Sequence, residues 1–234
     1  MNRTTNVVRM QLMNRQTFVG LPLLILFASF AITLAIYGII LFTVPGPVEH
    51  PMYSGGTQAP LWYFLVVGVQ AMNLTFPFSQ AMSVTRREFF SGTVLTAAGT
   101  SLILAVTFGI GGLIERATDG WGLSGYFFYL PWIWAHGALA AALFYFVVAM
   151  LAFLLGFLGA VIYKRFGLLW LLLTAIGLVV ALVIAAFAIS ATHSWAGVGH
   201  ALVHADALYV ALIGLGVCAV LAGLGYLTLR RAVP

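Results

Sequence analysis

The chain has 234 residues, of which 63% are hydrophobic and only 6% charged, with a mean hydropathy of +1.10. Soluble domains carry roughly 25% charged residues, so water is excluded as the main solvent and a multi-span membrane protein is expected. The net charge of +5 does not signal nucleic acid, because the basic residues stand in pairs between apolar runs rather than on one patch. Lys164 is the only lysine and follows Tyr163 rather than glycine, so the phosphate-cradling G-x-x-x-x-G-K-[ST] loop is absent. If ATP drives this protein, another chain binds it. The single cysteine, Cys218, lies in an apolar run, which excludes an intrachain disulfide framework or cysteine metal cluster.

A bilayer core of about 30 Å takes about 20 apolar helical residues. Runs of that kind predict an all-α, six-span protein with helices over 20–44, 61–82, 90–113, 132–162, 167–190 and 207–229. Residues 1–19 form a polar, basic N-terminal segment, and 20–234 a single transmembrane domain with no linker. The first run is too long for a signal peptide and has no clear cleavage site, so it is expected to remain. Arg3, Arg9, Arg15, Arg86, Arg87, Lys164, Arg165, Arg230 and Arg231 all fall on one side of this arrangement, leaving only Arg116 opposite. Retention of positive charge inside then puts both termini in the cytoplasm. The outer connections, 45–60, 114–131 and 191–206, hold Glu49, Glu115, Asp119 and Asp206 and are punctuated by residues such as Pro45, Gly46, Pro47, Gly120, Gly125 and Pro131. They are too short for a soluble catalytic domain.

In the second span, Gln70, Asn73, Pro77 and Gln80 follow at steps of three, four and three residues, within about 80° on a helix. Polar groups are costly against lipid, so this face should meet a protein neighbour, a kink or a wet cavity. It is either the wall of a substrate path or a seam of interhelical hydrogen bonds. Asn73-Leu74-Thr75 matches a glycosylation sequon, but its place in an apolar run makes it inaccessible.

Thr85-Arg86-Arg87-Glu88-Phe89-Phe90 follows, and Thr85 and Glu88 have the T-x-x-E spacing of a capping box. A helix should start there. Two arginines in a first turn oppose the helix dipole, so they serve either retention inside or contact with a partner, beside what the sequence suggests are exposed aromatics.

With the basic segment 1–19, the Thr85-Arg86-Arg87-Glu88-Phe89-Phe90-x-Gly92 stretch, six spans and a terminal Arg230-Arg231, the chain resembles the permease subunits of ABC-2-type exporters, in particular the compact Ala/Gly-rich ones of actinobacteria. The resemblance covers nearly the whole length. It implies a bacterial cell-membrane protein whose N-terminal segment is an interfacial helix, whose Thr85–Phe90 stretch docks on a separate ABC ATPase, and whose path forms between two permease copies or homologues. ATP and Mg would sit on the ATPase, with no cofactor and no catalytic residue in this chain. The residues themselves show Val7, Val8, Met10, Leu12 and Met13 spread around a helix rather than gathered on one face.

The competing chemistry is histidine. His193, His200, His204 and Asp206 crowd the last outer connection, and His200/His204 have the i, i+4 spacing of a zinc pair, without an H-E-x-x-H motif. A metal- or redox-linked membrane enzyme is therefore the alternative; a partly helical cap is the plainer reading. His136 alone near another span end gives no haem pair. Trp121, Trp132 and Trp134 read as interfacial anchors. Small residues at Gly92, Thr96, Gly99, Thr100, Thr107, Gly156, Gly159, Ala219 and Gly223 read as helix-packing faces. With no Asp, Glu, Lys or Arg expected deep in a span, proton coupling through carboxylates is disfavoured. The expected activity is export of an amphiphilic small molecule, peptide, lipid or glycan.

Overall fold

The computed structural model describes residues 3–43, 51–203 and 205–230. Pro45, Gly46, Pro47, Glu49, His204 and Arg231, named above, lie outside them. Among the described residues six helical spans are long and apolar enough to cross a membrane: Gln16–Thr43, Gln58–Ala81, Arg86–Ala117, Ala138–Phe166, Leu168–Ala191 and Ala207–Leu229. In chain order the helices are α1 (Arg3–Met13), α2 (Leu21–Thr43), α3 (Gln58–Gln70), α4 (Phe76–Ala81), α5 (Arg86–Ala117), α6 (Ala138–Phe166), α7 (Leu168–Ala191), α8 (Trp195–Val203) and α9 (Ala207–Leu229). Three wider, π-helical stretches, Gln16–Gly20, Ala71–Thr75 and Gly120–Ser124, accompany them, and β1 (Met52–Tyr53) pairs in parallel with β2 (Gly125–Tyr126), in register Met52 with Gly125.

Two boundaries differ from expectation. The fourth span starts at Ala138 rather than 132, because Pro131 to His136 form turns and Gly137 turns the chain at φ +86°. The third runs a turn further at its end, to Ala117, and begins where the capping box predicts. Thr85 is extended (φ −70°, ψ 150°), its Oγ1 accepts from the Glu88 amide at 3.3 Å, and its own amide donates to Glu88 Oε2 at 2.9 Å. From that start, Phe89, Thr93, Thr96, Ala97, Thr100, Leu104 and Phe108 fall on the buried stripe of α5.

The core sits around α6, which packs against α3, α5, α7 and α9 and is buried on several sides. Its closest neighbour is α3. A methyl at Gly68 would stand 2.1 Å from the Phe153 carbonyl oxygen, and one at Gly156 would stand 2.0 Å from that of Leu65. Backbone therefore meets backbone at this crossing, as small residues permit in lipid. On α9 the face turned inward is Ala207, Ala211, Gly214, Cys218, Gly225 and Leu229, whereas Ala219 and Gly223 are exposed, a correction to the packing face read from sequence. Gly99 is exposed too, while Gly92, Thr96 and Thr100 are buried. α7 follows α6 after Gly167 alone, whose φ of +86° and ψ of 178° suit glycine; no residue of α7 is buried, so the whole helix offers an apolar surface.

α1 is packed into the bundle. Val7 and Gln11 are fully buried, Val7 lying over Gly92 of α5, where a methyl would come within 2.6 Å of it. Gln11 Nε2 donates to Thr93 Oγ1 at 2.8 Å and to Thr75 Oγ1 at 3.4 Å, tying the N-terminal helix to spans two and three.

Candidate functional site

Span two is interrupted where its polar residues lie. Ala71–Thr75 form a wide π-helical turn before Pro77, which has no amide hydrogen to give the preceding turn. The inward face of this span is Phe64, Val67, Gly68, Ala71, Met72, Phe76 and Ser79. Asn73 and Pro77 are exposed on the opposite side, and Gln70 and Gln80 flank them half-buried. Gln80 Nε2 donates to the Val84 carbonyl at 3.1 Å, whereas Gln70 and Asn73 make no side-chain hydrogen bond to a described residue. The three polar residues and Pro77 thus share a face, and its exposed part, Asn73 and Pro77, is turned away from the chain's own core. Nearer the other end of the same span, an apolar cavity of about 450 Å³ opens between α3 and α6, lined by Trp62, Leu65, Trp132, Phe144 and Val148 with Gln58 at its edge.

The segment from Thr85 to Phe90 is built differently from its sequence reading. Phe89 is fully buried with its ring edge-on to Phe76 of span two at 5.1 Å. Phe90 is half-buried against Tyr226 of α9 at 5.3 Å and Phe157 of α6 at 6.0 Å. These aromatics are therefore not exposed, because a helix starting at Arg86 places them at the head of its buried stripe. Arg86 Nη1 donates to the Arg230 carbonyl at 2.7 Å and so closes the C-terminal end of α9. Arg165 reaches the same helix end, at the Thr228 carbonyl, at 3.4 Å. What remains outward is Thr85 and Arg87, next to the exposed Met82 and Ser83, with Arg86 and Glu88 half-buried.

The histidines are not gathered. Asp206 caps α9 by accepting from the Leu208 amide at 3.1 Å and pairs with His136 Nε2, from the connection before span four. These contacts hold its carboxyl below the ordinary value, the Leu208 amide first and His136 after it. Trp132 Nε1 reinforces the junction by donating to the Ala205 carbonyl at 2.6 Å. His193 lies in the turn after α7 with φ +50°, and His200 lies within α8. Among the described residues no three of His, Cys, Asp and Glu lie close enough to share a metal ion.

One site escaped the sequence. Glu115, assigned there to an outer connection, belongs to the last turn of α5 and is fully buried. Its carboxylate accepts from Trp121 Nε1 at 2.8 Å and from the amides of Phe127, Phe128 and Tyr129 at 2.9, 2.6 and 2.7 Å. It thereby folds the 118–130 connection back onto the bundle. Trp134 is buried over Gly112 and donates to the Phe128 carbonyl at 3.1 Å, so it is an internal strut rather than an interfacial anchor, while Trp121 is half-buried. Asp119 accepts from Tyr126 Oη at 2.7 Å and pushes that phenol up to about 12. An acid beside an arginine in a turn-rich stretch reads as solvated; only the run of aromatics and glycines after it hinted at a packed loop.

Comparison with protein-family models, with curated proteins and with solved structures gives no match.

Proposed function

We propose that the chain is the membrane subunit of an ATP-driven exporter of the ABC-2 type, working as two copies, or a copy and a homologue, in a bacterial cell membrane with both termini in the cytoplasm. The path for an amphiphilic substrate lies where the span-two faces of the two subunits meet. The observation that carries this reading is the exposure of Asn73 and Pro77 on the side away from the core, with Gln70 and Gln80 half-buried beside them. An amide left without partners in an apolar medium costs about 1–3 kcal/mol. A second subunit or an aqueous path at that face would remove the cost, and the neighbouring apolar cavity suits the greasy part of an amphiphile.

Energy enters from a separate ATPase. The sequence has no phosphate-binding loop, so contact must carry the coupling. Arg87, with Met82, Ser83 and Thr85, offers the contact surface. Directly behind it, Phe89 leans on span two and Phe90 on spans four and six, so a push on the turn before α5 reaches three other helices through packed rings. The experiment is a cysteine cross-link in membranes: Asn73→Cys in a Cys218→Ser background should join two subunits, while Leu102→Cys, on the exposed side of α5, should not. Absence of a cross-link at position 73 in a complex that still hydrolyses ATP would overturn the path assignment.

A further inference from the structure

At the end of the bundle where α5 begins and α6 and α9 finish, Arg165, Arg230, Thr228, Leu224 and Leu227 line an open cavity of about 490 Å³. Both guanidinium groups are held against aromatic rings. Arg165 stands 4.4 Å from the centre of the Phe166 ring, and Arg230 stands 5.8 Å from that of Tyr226. Each guanidinium carries five N–H donors. Arg165 gives one of its own to Thr228, and the Arg230 side chain gives none to a described residue. No carboxylate is among the described residues lining the cavity. Three of the chain's five acids, Glu115, Asp119 and Asp206, belong to the opposite helix ends, and Glu88 accepts from Thr85 in the capping box. Two fixed cations thus share one wall without a described counter-charge.

The other wall is apolar. Leu224 and Leu227 are 48% and 59% exposed and stand one turn apart. From Leu224 to Arg230 the helix climbs about 9 Å, which matches the passage from the acyl region to the headgroup level of one leaflet. We infer that this cavity is a binding site for an anionic phospholipid, with its phosphate between Arg165 and Arg230 and an acyl chain along Leu224 and Leu227. Inorganic phosphate would meet the cations and leave the leucines uncovered. A zwitterionic lipid would cover the leucines but bring its own ammonium to the arginines. Basic pockets between helix ends hold anionic headgroups for this reason.

Native mass spectrometry of the detergent-purified chain tests the site, with phosphatidylglycerol and phosphatidylcholine of identical acyl chains as probes. Phosphatidylglycerol should bind about tenfold more tightly, and Arg165→Gln with Arg230→Gln should abolish the difference. Arg230→Gln alone, which breaks no described side-chain hydrogen bond, should reduce it, so a misfolded double variant does not spare the inference. Arg9→Gln, on α1 and outside the cavity lining, should leave it unchanged. Equal binding of the two lipids, a preference that survives in Arg230→Gln, or displacement of the lipid by inorganic phosphate would each overturn the assignment.

Discussion

Replacing Glu115 by glutamine should damage the protein although the shape hardly changes. The carboxylate accepts four N–H groups, two on each oxygen: Trp121 Nε1 and the Phe127 amide on Oε1, the Phe128 and Tyr129 amides on Oε2. An amide side chain has one accepting oxygen and one donating nitrogen, so whichever way it turns, two buried N–H groups face another donor. A hydrogen bond to a charged group contributes about 1.5–3 kcal/mol, and an orphaned buried donor carries its own penalty. Loss of two such bonds amounts to about 3 kcal/mol or more, which for a chain of this size lowers the melting temperature by on the order of 10 °C. Fluorescence-detected size exclusion after heating in detergent measures this, and limited proteolysis within 118–130 reports whether the connection has come away. Glu115→Ala should be at least as damaging. A Glu115→Gln protein that melts with the parent would refute the view that this carboxylate pins the connection.

Three further outcomes follow from the packing and the charges. Gly68→Ala and Gly156→Ala drive a methyl into facing backbone and should cost about 2–3 kcal/mol or more, seen as loss of monodisperse protein, whereas Gly177→Ala on α7, with nothing within 4 Å, should be tolerated. Gln11→Leu removes the donor to Thr93 and Thr75 and should loosen α1 by about 1 kcal/mol, read as faster proteolysis of the N-terminal segment with the remaining bundle intact. Because the Asp206 carboxyl is held below its ordinary value of 3.8, its contribution is present at neutral pH and disappears as pH falls through its lowered value. Asp206→Asn should therefore melt below the parent at pH 7, and the two should converge under acid conditions beneath pH 3.8.

The number of spans was legible because hydropathy at this strength leaves little choice, and the start of α5 was legible because Thr85 and Glu88 are a local device. Side-chain direction was less so. Phe89 and Phe90 looked like surface aromatics beside two arginines, yet counting from the capping box puts them at the head of the buried stripe. Ala219 and Gly223 carried the small-x-x-x-small spacing, but the helix turned Gly214, Cys218 and Gly225 inward instead, a choice made by Val147 and Phe157 of α6. Gly68 gave no signal, since its meaning lies in Phe153, 85 positions along the chain. Of the span-two face, the common side of Gln70, Asn73, Pro77 and Gln80 was legible from their spacing. Which way that face points required the whole bundle, because the direction depends on Phe64, Met72 and Phe76 finding partners on α5 and α6.

The central claim is that a partner's ATP hydrolysis reaches this chain through the turn before α5. ATP-dependent transport by the complex of this chain with the ATPase proposed as its partner, sealed in vesicles, tests it most directly when the parent is compared with Arg87→Glu. Arg86 is left in place because it closes the end of α9. The parent should accumulate substrate in an ATP-dependent manner and the variant should lose about tenfold of that rate, a coupling of roughly 1.4 kcal/mol, with the bundle folded and the subunits still associated. Accumulation by this chain without any ATPase, or an Arg87→Glu complex that transports at the parent's rate, would contradict it.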